Sequence, residues 1–424
     1  MIESLIAALQ IPELKRRLVF VLTMFAIFVL GVHIPVPGVN HAAVEAFFKD
    51  KGGLLGLVDV FSGGALRKMS LFAMGITPYI NASIIMQMLT LAIPQLEVMS
   101  KEGEAGRKRI AKITRHLTIG IAFLTAVGIT LGFGAVANMS LLNRLQVWIT
   151  MTAGTCFLLW MGEQITEKGI GNGVSLIIFA SIMTSLPYQT GLIVTSVQKG
   201  LVNPFAVLLL IALFIGTILA IVYVTQGQRK IPIQHTKRVV GMKVTQGGSS
   251  FLPIKVNTAG VIPIIFAISM MMFPAQIMQS IPALKNSQLL RWAYMATPGQ
   301  SWWGSILYVI LIIIFTYFYT AVIMNVHDMA DNLKKYGNYI PGIRPGKPTF
   351  EYLDRVVSRI TLAGAVFLAG IALTQYIAPA LTGVTSFSLV GGTSLLIVVG
   401  VAIETMQAVE AQLLMRNYEG FIKQ

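Results

Sequence analysis

Residues Ser70 to Gln87 read SLFAMGITPYINASIIMQ, and this stretch decides the fold. It is apolar enough for a membrane, yet Gly75 and Pro78 interrupt it. Proline lacks a backbone donor and clashes with the preceding turn, so it suits the start of a helix better than its middle. We therefore predict a break just before Pro78 and a helix over about 78–93.

The segment ahead of this stretch, residues 54–66 (LLGLVDVFSGGAL), is apolar but too short to cross a membrane. A short half-helix followed by a broken helix is typical of segments that line a water-filled cavity, because lipid cannot satisfy freed backbone groups. An ordinary proline-kinked span is the alternative interpretation of 70–87.

Composition places the whole chain in a membrane. Hydrophobic residues make up 55% of it and charged residues 12%, with a mean hydropathy of +0.74, whereas soluble domains carry about 25% charged residues. Apolar runs of about 20 residues recur, a length that crosses a hydrocarbon core of about 30 Å. The single cysteine, Cys156, lies inside such a run, and we interpret it as a packing residue rather than a nucleophile.

Ten apolar segments are predicted to span the membrane. Their approximate bounds are 18–34, 71–93, 117–138, 147–165, 173–191, 204–224, 257–278, 304–326, 357–378 and 391–411. Residues 1–17 are predicted to form an amphipathic helix on the membrane surface. Two long polar loops, 225–256 and 327–356, are the largest segments outside the spans.

Basic residues predict the orientation, because segments on the cytoplasmic side are enriched in Lys and Arg. With the N-terminus inside, 24 of the 32 Lys and Arg residues fall in inner segments and 8 in outer ones. We therefore expect a multi-pass protein of the cell (plasma) membrane with both termini in the cytoplasm.

The spans divide into two groups of five at residues 188–203. The predicted halves are 1–195, with the surface helix, spans one to five and the 54–66 segment, and 196–424, with spans six to ten and both long loops. An odd number of spans per half means that the halves enter the membrane in opposite orientations, and inverted repeats place a functional site at their interface.

The residues offer little for catalysis, metal binding or ion coupling. None of the five histidines (33, 41, 116, 235 and 327) has metal-ligand spacing with a second His or Cys, and we expect no metal or cofactor. Neither a phosphate-binding lysine loop nor a nucleophile elbow is present. Within the spans we consider Glu163 and Glu404 as the ionisable candidates for a coupling role. Both lie near predicted inner ends, where they can reach water or cap loops. This pattern favours a passive pore over a pump, a carrier or an intramembrane enzyme.

Four motifs carry a resemblance to a known family. The runs are GITPYINASIIMQ (75–87), EQITEKGIGNGVSLII (163–178), LPIKVNTAGVIP (252–263) and PGIRPG (341–346). In this order they resemble the SecY family, the large channel-forming subunits of bacterial Sec protein translocons, and the similarity extends over nearly the whole chain. The resemblance implies an all-α integral membrane protein, with ten transmembrane helices in two inverted five-helix halves around a central pore and a short re-entrant plug helix.

Within that resemblance, a ring of isoleucines closes the pore. Ile76 and Ile80 lie four apart on one helix face and flank Pro78. An apolar constriction loses its water when empty and so blocks ions, and it offers no fixed polar partner to a passing polypeptide. The family's motifs place the ring at Ile76, Ile80, Ile178, Ile265 and Ile397; without the resemblance these are equally well packing isoleucines.

The resemblance also assigns the short segment 54–66 to the plug, which stops the pore from outside; a purely structural re-entrant segment is the alternative. The implied plug residues are Leu55, Leu57, Val58, Val60, Phe61, Ser62, Gly63 and Gly64. The family's sideways exit, the lateral gate, lies between spans two and three on one side and seven and eight on the other. The resemblance therefore suggests Gln87 and Asn257 as polar residues of the lateral gate.

The long inner loops are expected to be the docking surface. In PGIRPG, two Pro-Gly turns present the Arg344 guanidinium for forked contacts with carboxylate or phosphate. The family uses this loop for the motor ATPase SecA and for the ribosome. A solvated loop arginine, or contact of the basic loops with anionic lipid heads, are the alternatives. The expected partner-binding residues are Arg344, Arg229, Lys230, Lys237 and Arg238.

The sequence thus predicts a protein-conducting channel of the general secretory pathway. It is expected to move unfolded preproteins with signal peptides across the lipid bilayer, to release membrane helices sideways, to work with the small subunits SecE and SecG, and to catalyse no reaction itself. An inverted-repeat secondary transporter is the alternative function.

Overall fold

A computed structural model describes most of the chain. The described residues are 9–40, 44, 48, 59–133, 136, 139–200, 202–235, 238–240, 243–245, 248–280, 287–299, 301–383 and 391–422. Residues 1–8 of the surface helix predicted at 1–17 lie outside them. The predicted plug residues Leu55, Leu57 and Val58 also lie outside them.

Eight described stretches of helix are long and apolar enough to cross a membrane. In chain order the helices are α1 (Pro12–His33), α4 (Glu104–Gly132), α5 (Leu141–Lys168), α6 (Gly173–Gln198), α7 (Pro204–Gln226), α10 (Trp302–Ile323), α12 (Lys347–Thr382) and α13 (Thr393–Ile422). All eight coincide with predicted spans.

The second span is broken at both ends. Helix α2 (Thr77–Ala92) follows Ile76, and α3 (Pro94–Lys101) leaves it at an angle of 102°. Ile93 is extended, as expected for a residue before proline. Together α2 and α3 make up to a ninth span, and the break predicted before Pro78 is confirmed, with the helix starting at Thr77.

The seventh predicted span contains α8 (Ile262–Ser280). Its apolar part, Ile262–Met272, is shorter than a full span. With it, helices occupy all ten predicted span positions. Helix α9 (Gln288–Ala296) follows on the connection to α10.

Two helices extend beyond their predicted spans into polar sequence. Helix α4 begins at Glu104 and runs through most of the basic stretch 101–115, and α12 begins at Lys347, ten residues before the predicted span. Exposed ion pairs one turn apart, such as Lys108 with Glu104 at 2.8 Å, support such helical extensions in water.

A small sheet that the sequence analysis did not predict lies in the two long loops, 225–256 and 327–356. Strand β1 (Gln228–His235) pairs antiparallel with β4 (Ser249–Lys255), Gln228 opposite Lys255 and Gln234 opposite Ser249, and with β5 (Asn338–Tyr339). Strands β2 (Arg238–Val240) and β3 (Lys243–Thr245) form a second hairpin. Helix α11 (Val326–Lys335) precedes β5.

The two long loops share one hydrophobic core. Ile231 and Ile254 of the sheet are each 1% exposed and pack with Leu353 and Val357 of α12 and with Val326 and Ala330 of α11. Alternating burial along β1, with Ile231 and Ile233 inward, is the two-residue period of a half-buried strand. The loops are therefore one folded unit rather than two independent arms.

Close helix packing fixes the second span against its neighbours. Side chains at Gly31 of α1 and Gly154 of α5 would overlap Phe72 and Leu71, so only glycine fits at these two positions. The Phe72 ring stacks between Phe28 and Phe157, with centroids 5.9 and 6.0 Å away. The segment leading into α2 is thereby held in place from two sides.

Candidate functional site

One hydrophobic cluster contains all five isoleucines of the predicted ring. Ile76 and Ile397 are each 2% exposed and Ile178 is 5% exposed, while Ile80 and Ile265 are half-buried against the same cluster. They come from the start of α2, from α6, from α8 and from α13. The structure therefore brings together residues that the sequence separates by more than 300 positions.

Backbone geometry explains how Ile76 and Ile80 come to lie at this point. Gly75 has φ +56°, in the left-handed region that glycine enters without cost. The turn lets α2 begin immediately afterwards, and the Ile80 N–H donates to the Ile76 carbonyl oxygen over 3.1 Å. Ile76 and Ile80 thus lie one above the other on one face of the first turn.

Each of the four helices contributes a pair of β-branched apolar residues four positions apart. The pairs are Ile76 with Ile80, Val174 with Ile178, Val261 with Ile265, and Ile397 with Val401, and all eight residues belong to the one cluster. The sequence analysis missed the three valines. A search for a β-branched partner one turn from each candidate isoleucine would have found them.

The described part of the plug packs on the same cluster. Val60 is 1% exposed and belongs to it, and Phe61 packs against it. The helical turn at 59–61 ends at Gly63 and Gly64, which have φ +72° and +81°. The Gly64 N–H donates to the Asp59 carbonyl oxygen over 2.8 Å and so closes the turn.

The plug also contacts the break of the second span. A β-carbon on Gly75 would lie 3.2 Å from the Phe61 carbonyl oxygen and 3.3 Å from Ser62 Cα. Ser62, 1% exposed, donates from its hydroxyl to the Asp59 carbonyl oxygen over 2.9 Å. The five described residues of the predicted plug, 60–64, therefore lie next to the cluster that contains the predicted ring isoleucines.

The two predicted gate residues lie on different elements of the structure. Gln87 is half-buried on α2, next to Ile84 and Met88, which pack on the cluster containing α8. Asn257 is 8% exposed in the connection from β4 to α8, and its Oδ1 has no hydrogen-bond partner among the described residues. The backbone at 256–257 lies against Gly364 of α12.

The two glutamates considered for ion coupling are not deeply buried. Glu163 on α5 accepts from the Arg115 guanidinium of α4 over 2.6 Å, and its side chain is 40% exposed. Glu404 lies exposed on α13, and its Oε1 would be 3.8 Å from a β-carbon on Gly260. Among the described residues, no group of three His, Cys, Asp or Glu side chains has the arrangement of a metal site.

Three of the basic residues proposed for docking, Arg229, Lys230 and Arg344, lie on the shared loop unit. Arg229 and Lys230 are exposed on β1, and Arg344 is exposed between Gly342 and Gly346, which have φ +81° and +102°. The Thr349 hydroxyl donates to the Arg344 carbonyl oxygen over 2.8 Å and so fixes the turn. The remaining two are Lys237, outside the described residues, and Arg238, in β2, whose side chain is not described.

His235 links the two loops directly. Its Nδ1 is 2.6 Å from Asn338 Oδ1, and its Nε2 is 2.8 Å from Ser250 Oγ. This histidine therefore bridges all three strands of the sheet, a role that its sequence position alone did not indicate.

Comparisons with known proteins agree with this geometry. A protein-family model described as SecY matches residues 70–406. The protein translocase subunit SecY of Halalkalibacterium halodurans is 43% identical, with 98% of each chain covered, and that of Aquifex aeolicus is 41% identical, with 100% of each covered.

Solved structures show the same fold at lower identity. A structure described in connection with the plug domain of SecY aligns with a TM-score of 0.69 at 22% identity, and one described as a protein conducting channel with 0.66 at 20%, each covering 94% of this chain and 92% of the other. These likenesses confirm the predicted multi-span helical membrane fold.

Proposed function

The chain belongs to the SecY family, and from that membership we propose that it forms the channel through which unfolded secretory preproteins cross the membrane. The carrying observation is the single cluster in which four helices place β-branched pairs beneath two plug residues, Val60 and Phe61. Soluble enzymes also contain apolar clusters in their cores. Here the cluster joins the break of the second span to helices from both proposed halves of a multi-pass membrane protein.

The cluster has the chemistry that such a channel needs. A constriction of Ile and Val side chains excludes water when it is closed and so blocks ions. It has no charged group that would bind one polypeptide segment and repel another. The pore ring is accordingly assigned to Ile76, Ile80, Ile178, Ile265 and Ile397, with Val174, Val261 and Val401 one turn away.

The proposed halves, 1–195 and 196–424, meet at this ring. Helices α2 and α6 contribute from the first half, and α8 and α13 from the second. Opposite orientation of two five-span halves follows from the odd span number and supports a hinge-like parting of the halves. The ring would then open as its two sides separate.

The lateral gate is assigned to the contact of α2 with α8. Ile84 and Met88 of α2 pack there against the cluster of Ile264 and Ile268, so the closed gate is apolar. Gln87 lies on this part of α2, and Asn257 immediately precedes α8. Parting of these helices would release an apolar segment of a passing chain into lipid.

Orientation and partners follow from charge and from family membership. The excess of basic residues in the inner segments supports cytoplasmic termini. With the termini on that side, the shared loop unit lies in the cytoplasm and the spans cross the plasma membrane. SecA and the ribosome are the proposed partners of Arg229, Lys230, Lys237, Arg238 and Arg344. SecE and SecG are the proposed small subunits.

The proposed channel carries out no bond-breaking step, and its driving energy comes from these partners. The secondary-transporter hypothesis requires a coupling acid inside the membrane. Glu163 is instead half-exposed and paired with Arg115, which does not favour that alternative.

A reconstituted translocation assay tests the function. The purified chain is placed in liposomes together with SecE and SecG. SecA, ATP and an unfolded secretory precursor are then added, and the amount of precursor protected from protease is measured. Protection is expected with the wild-type chain and is expected to fall with Arg344→Glu. The matched control Lys347→Glu makes the same charge change on an exposed neighbouring residue and should retain more activity. Gradient-driven uptake of a small solute without protection would contradict the proposal.

A further inference from the structure

The guanidinium of Arg67 lies between a carboxylate and an aromatic ring. Arg67 Nη2 is 3.7 Å from Asp59 Oδ2, and the Arg67 backbone N–H donates to Asp59 Oδ1 over 2.9 Å. On the other side, Arg67 Cζ is 3.5 Å from the centre of the Tyr188 ring. Asp59 begins the described part of the plug, and Tyr188 belongs to α6.

The carboxylate in this arrangement is buried. The Asp59 side chain is 7% exposed and that of Arg67 22% exposed. Burial raises the pKa of the Asp59 carboxyl above its ordinary value, and the backbone N–H and charge of Arg67 lower it in part. An unpaired carboxylate at this depth is costly, so Asp59 holds Arg67 close to the plug.

A second contact fixes the plug on the same helix. Gly63 approaches α6 so closely that a β-carbon on it would lie 3.2 Å from the Ser181 carbonyl oxygen. Ser181 and Tyr188 are seven residues apart, which is about two helical turns and therefore the same face. The segment from Asp59 to Arg67 thus contacts one face of α6 at two positions, Ser181 and Tyr188.

These two positions differ in chemistry. At Ser181 the contact is backbone against backbone and depends on glycine. At Tyr188 the contact is a cation over an aromatic face, and an arginine in this geometry is attracted to the ring. Only the second contact can be removed by changing side chains on the helix without placing new atoms against the plug.

We propose that Arg67 is a positioning residue of the channel, a latch that ties the plug through Asp59 to Tyr188 of α6 and so holds it against the ring. This inference rests on the proposed function. Tyr188 is the fixed side of the latch, Asp59 the moving side, and Arg67 the cation that joins them. Displacement of the plug breaks the Arg67–Tyr188 contact before it breaks the Asp59–Arg67 pair, because Asp59 and Arg67 move together.

The test measures plug displacement in the reconstituted channel with its small subunits and no precursor. A Cys156→Ser, Val60→Cys background reports plug position through the rate of labelling by a membrane-impermeant maleimide, and resting ion leak is measured on the same liposomes. Tyr188→Leu and Arg67→Leu are expected to raise labelling about two- to thirtyfold, the range that a cation–π contact corresponds to. Tyr188→Phe keeps the aromatic face and should label like the background.

Two controls separate the latch from simple charge loss and from misfolding. Lys68→Leu removes an exposed basic residue next to Arg67 and should change neither labelling nor leak. The double variant Arg67→Leu, Tyr188→Leu should label no faster than the faster single variant, because both remove the same contact. If Arg67→Leu does not assemble, the labelling rates of Tyr188→Leu and Tyr188→Phe still show whether the aromatic ring holds the plug.

Equal labelling of Tyr188→Leu and Tyr188→Phe would overturn the latch. Labelling needs no translocation, so a wild-type channel that fails to protect precursor refutes the proposed function independently. A channel that translocates but shows no difference between the two Tyr188 variants refutes the latch alone.

Discussion

Arg115 of α4 and Glu163 of α5 form an ion pair of 2.6 Å that joins the third span to the fourth. Both side chains are about half-exposed, so water screens the pair. Its contribution to stability is expected to be below about 1 kcal/mol.

The first prediction follows from this pair. Glu163→Gln removes the charge but keeps the shape, and it should lower thermal stability only slightly and leave precursor translocation nearly unchanged. Thermal unfolding of the purified protein and protease protection of precursor measure the two effects. Loss of transport with unchanged stability would instead identify Glu163 as a coupling acid and revive the transporter hypothesis.

The second prediction concerns the ring. Ile397→Asn places an amide in a cluster where the native side chain is 2% exposed, and it should wet the constriction and raise resting ion leak. Ile397→Leu is the control, because it keeps an apolar side chain of the same volume. Ion flux from loaded liposomes without precursor is the measurement, and equal leak in both variants would remove Ile397 from the constriction.

The third prediction uses two glycines that both have positive φ. Gly75 has φ +56° and faces Phe61 of the plug, whereas Gly103 has φ +74° with nothing within 4 Å of a β-carbon. Alanine strains the backbone at either position because both have positive φ, but only Gly75→Ala also presses on the predicted plug. Resting leak should rise with Gly75→Ala and stay at the wild-type level with Gly103→Ala.

The fourth prediction concerns the unit formed by the two long loops. Ile231→Ala opens a cavity in a core where this residue is 1% exposed, and it should destabilise the unit by about 2–5 kcal/mol. Phe251→Ala, at a residue 61% exposed on β4, should cost far less. Hydrogen exchange of residues 228–255 measures the difference. Ion leak should be unchanged in both variants, because the unit lies away from the ring.

The sequence predicted the membrane fold well because its signals are local. Apolar length locates a span whatever packs against it, and a proline with a preceding glycine locates the break at Gly75–Pro78. The ring isoleucines came from motif resemblance. Their three valine partners at 174, 261 and 401 were missed because spacing alone does not tell a ring from ordinary packing.

What the sequence did not reveal depends on distant contacts. Strand β1 alternates Ile231 and Ile233 with polar residues, yet its partner β5 lies about a hundred residues later. The Arg67–Tyr188 contact likewise joins residues 121 positions apart. No local sequence pattern around Tyr188 predicts that a cation lies above its ring. The contact between Arg67 and Tyr188 is formed only by the fold.

The shared core of the two long loops has a consequence for how this protein is made. Ile231 and Ile254 leave the ribosome before the residues that cover them, at 326–357, have been synthesised. At a synthesis rate of about 5–20 residues per second, the hairpin remains uncovered for roughly 5–20 s. Two membrane spans, the seventh and the eighth, are synthesised during that interval. The loop unit is therefore completed late in synthesis, and a nascent chain cannot present the finished proposed docking surface until its ninth span has begun to emerge.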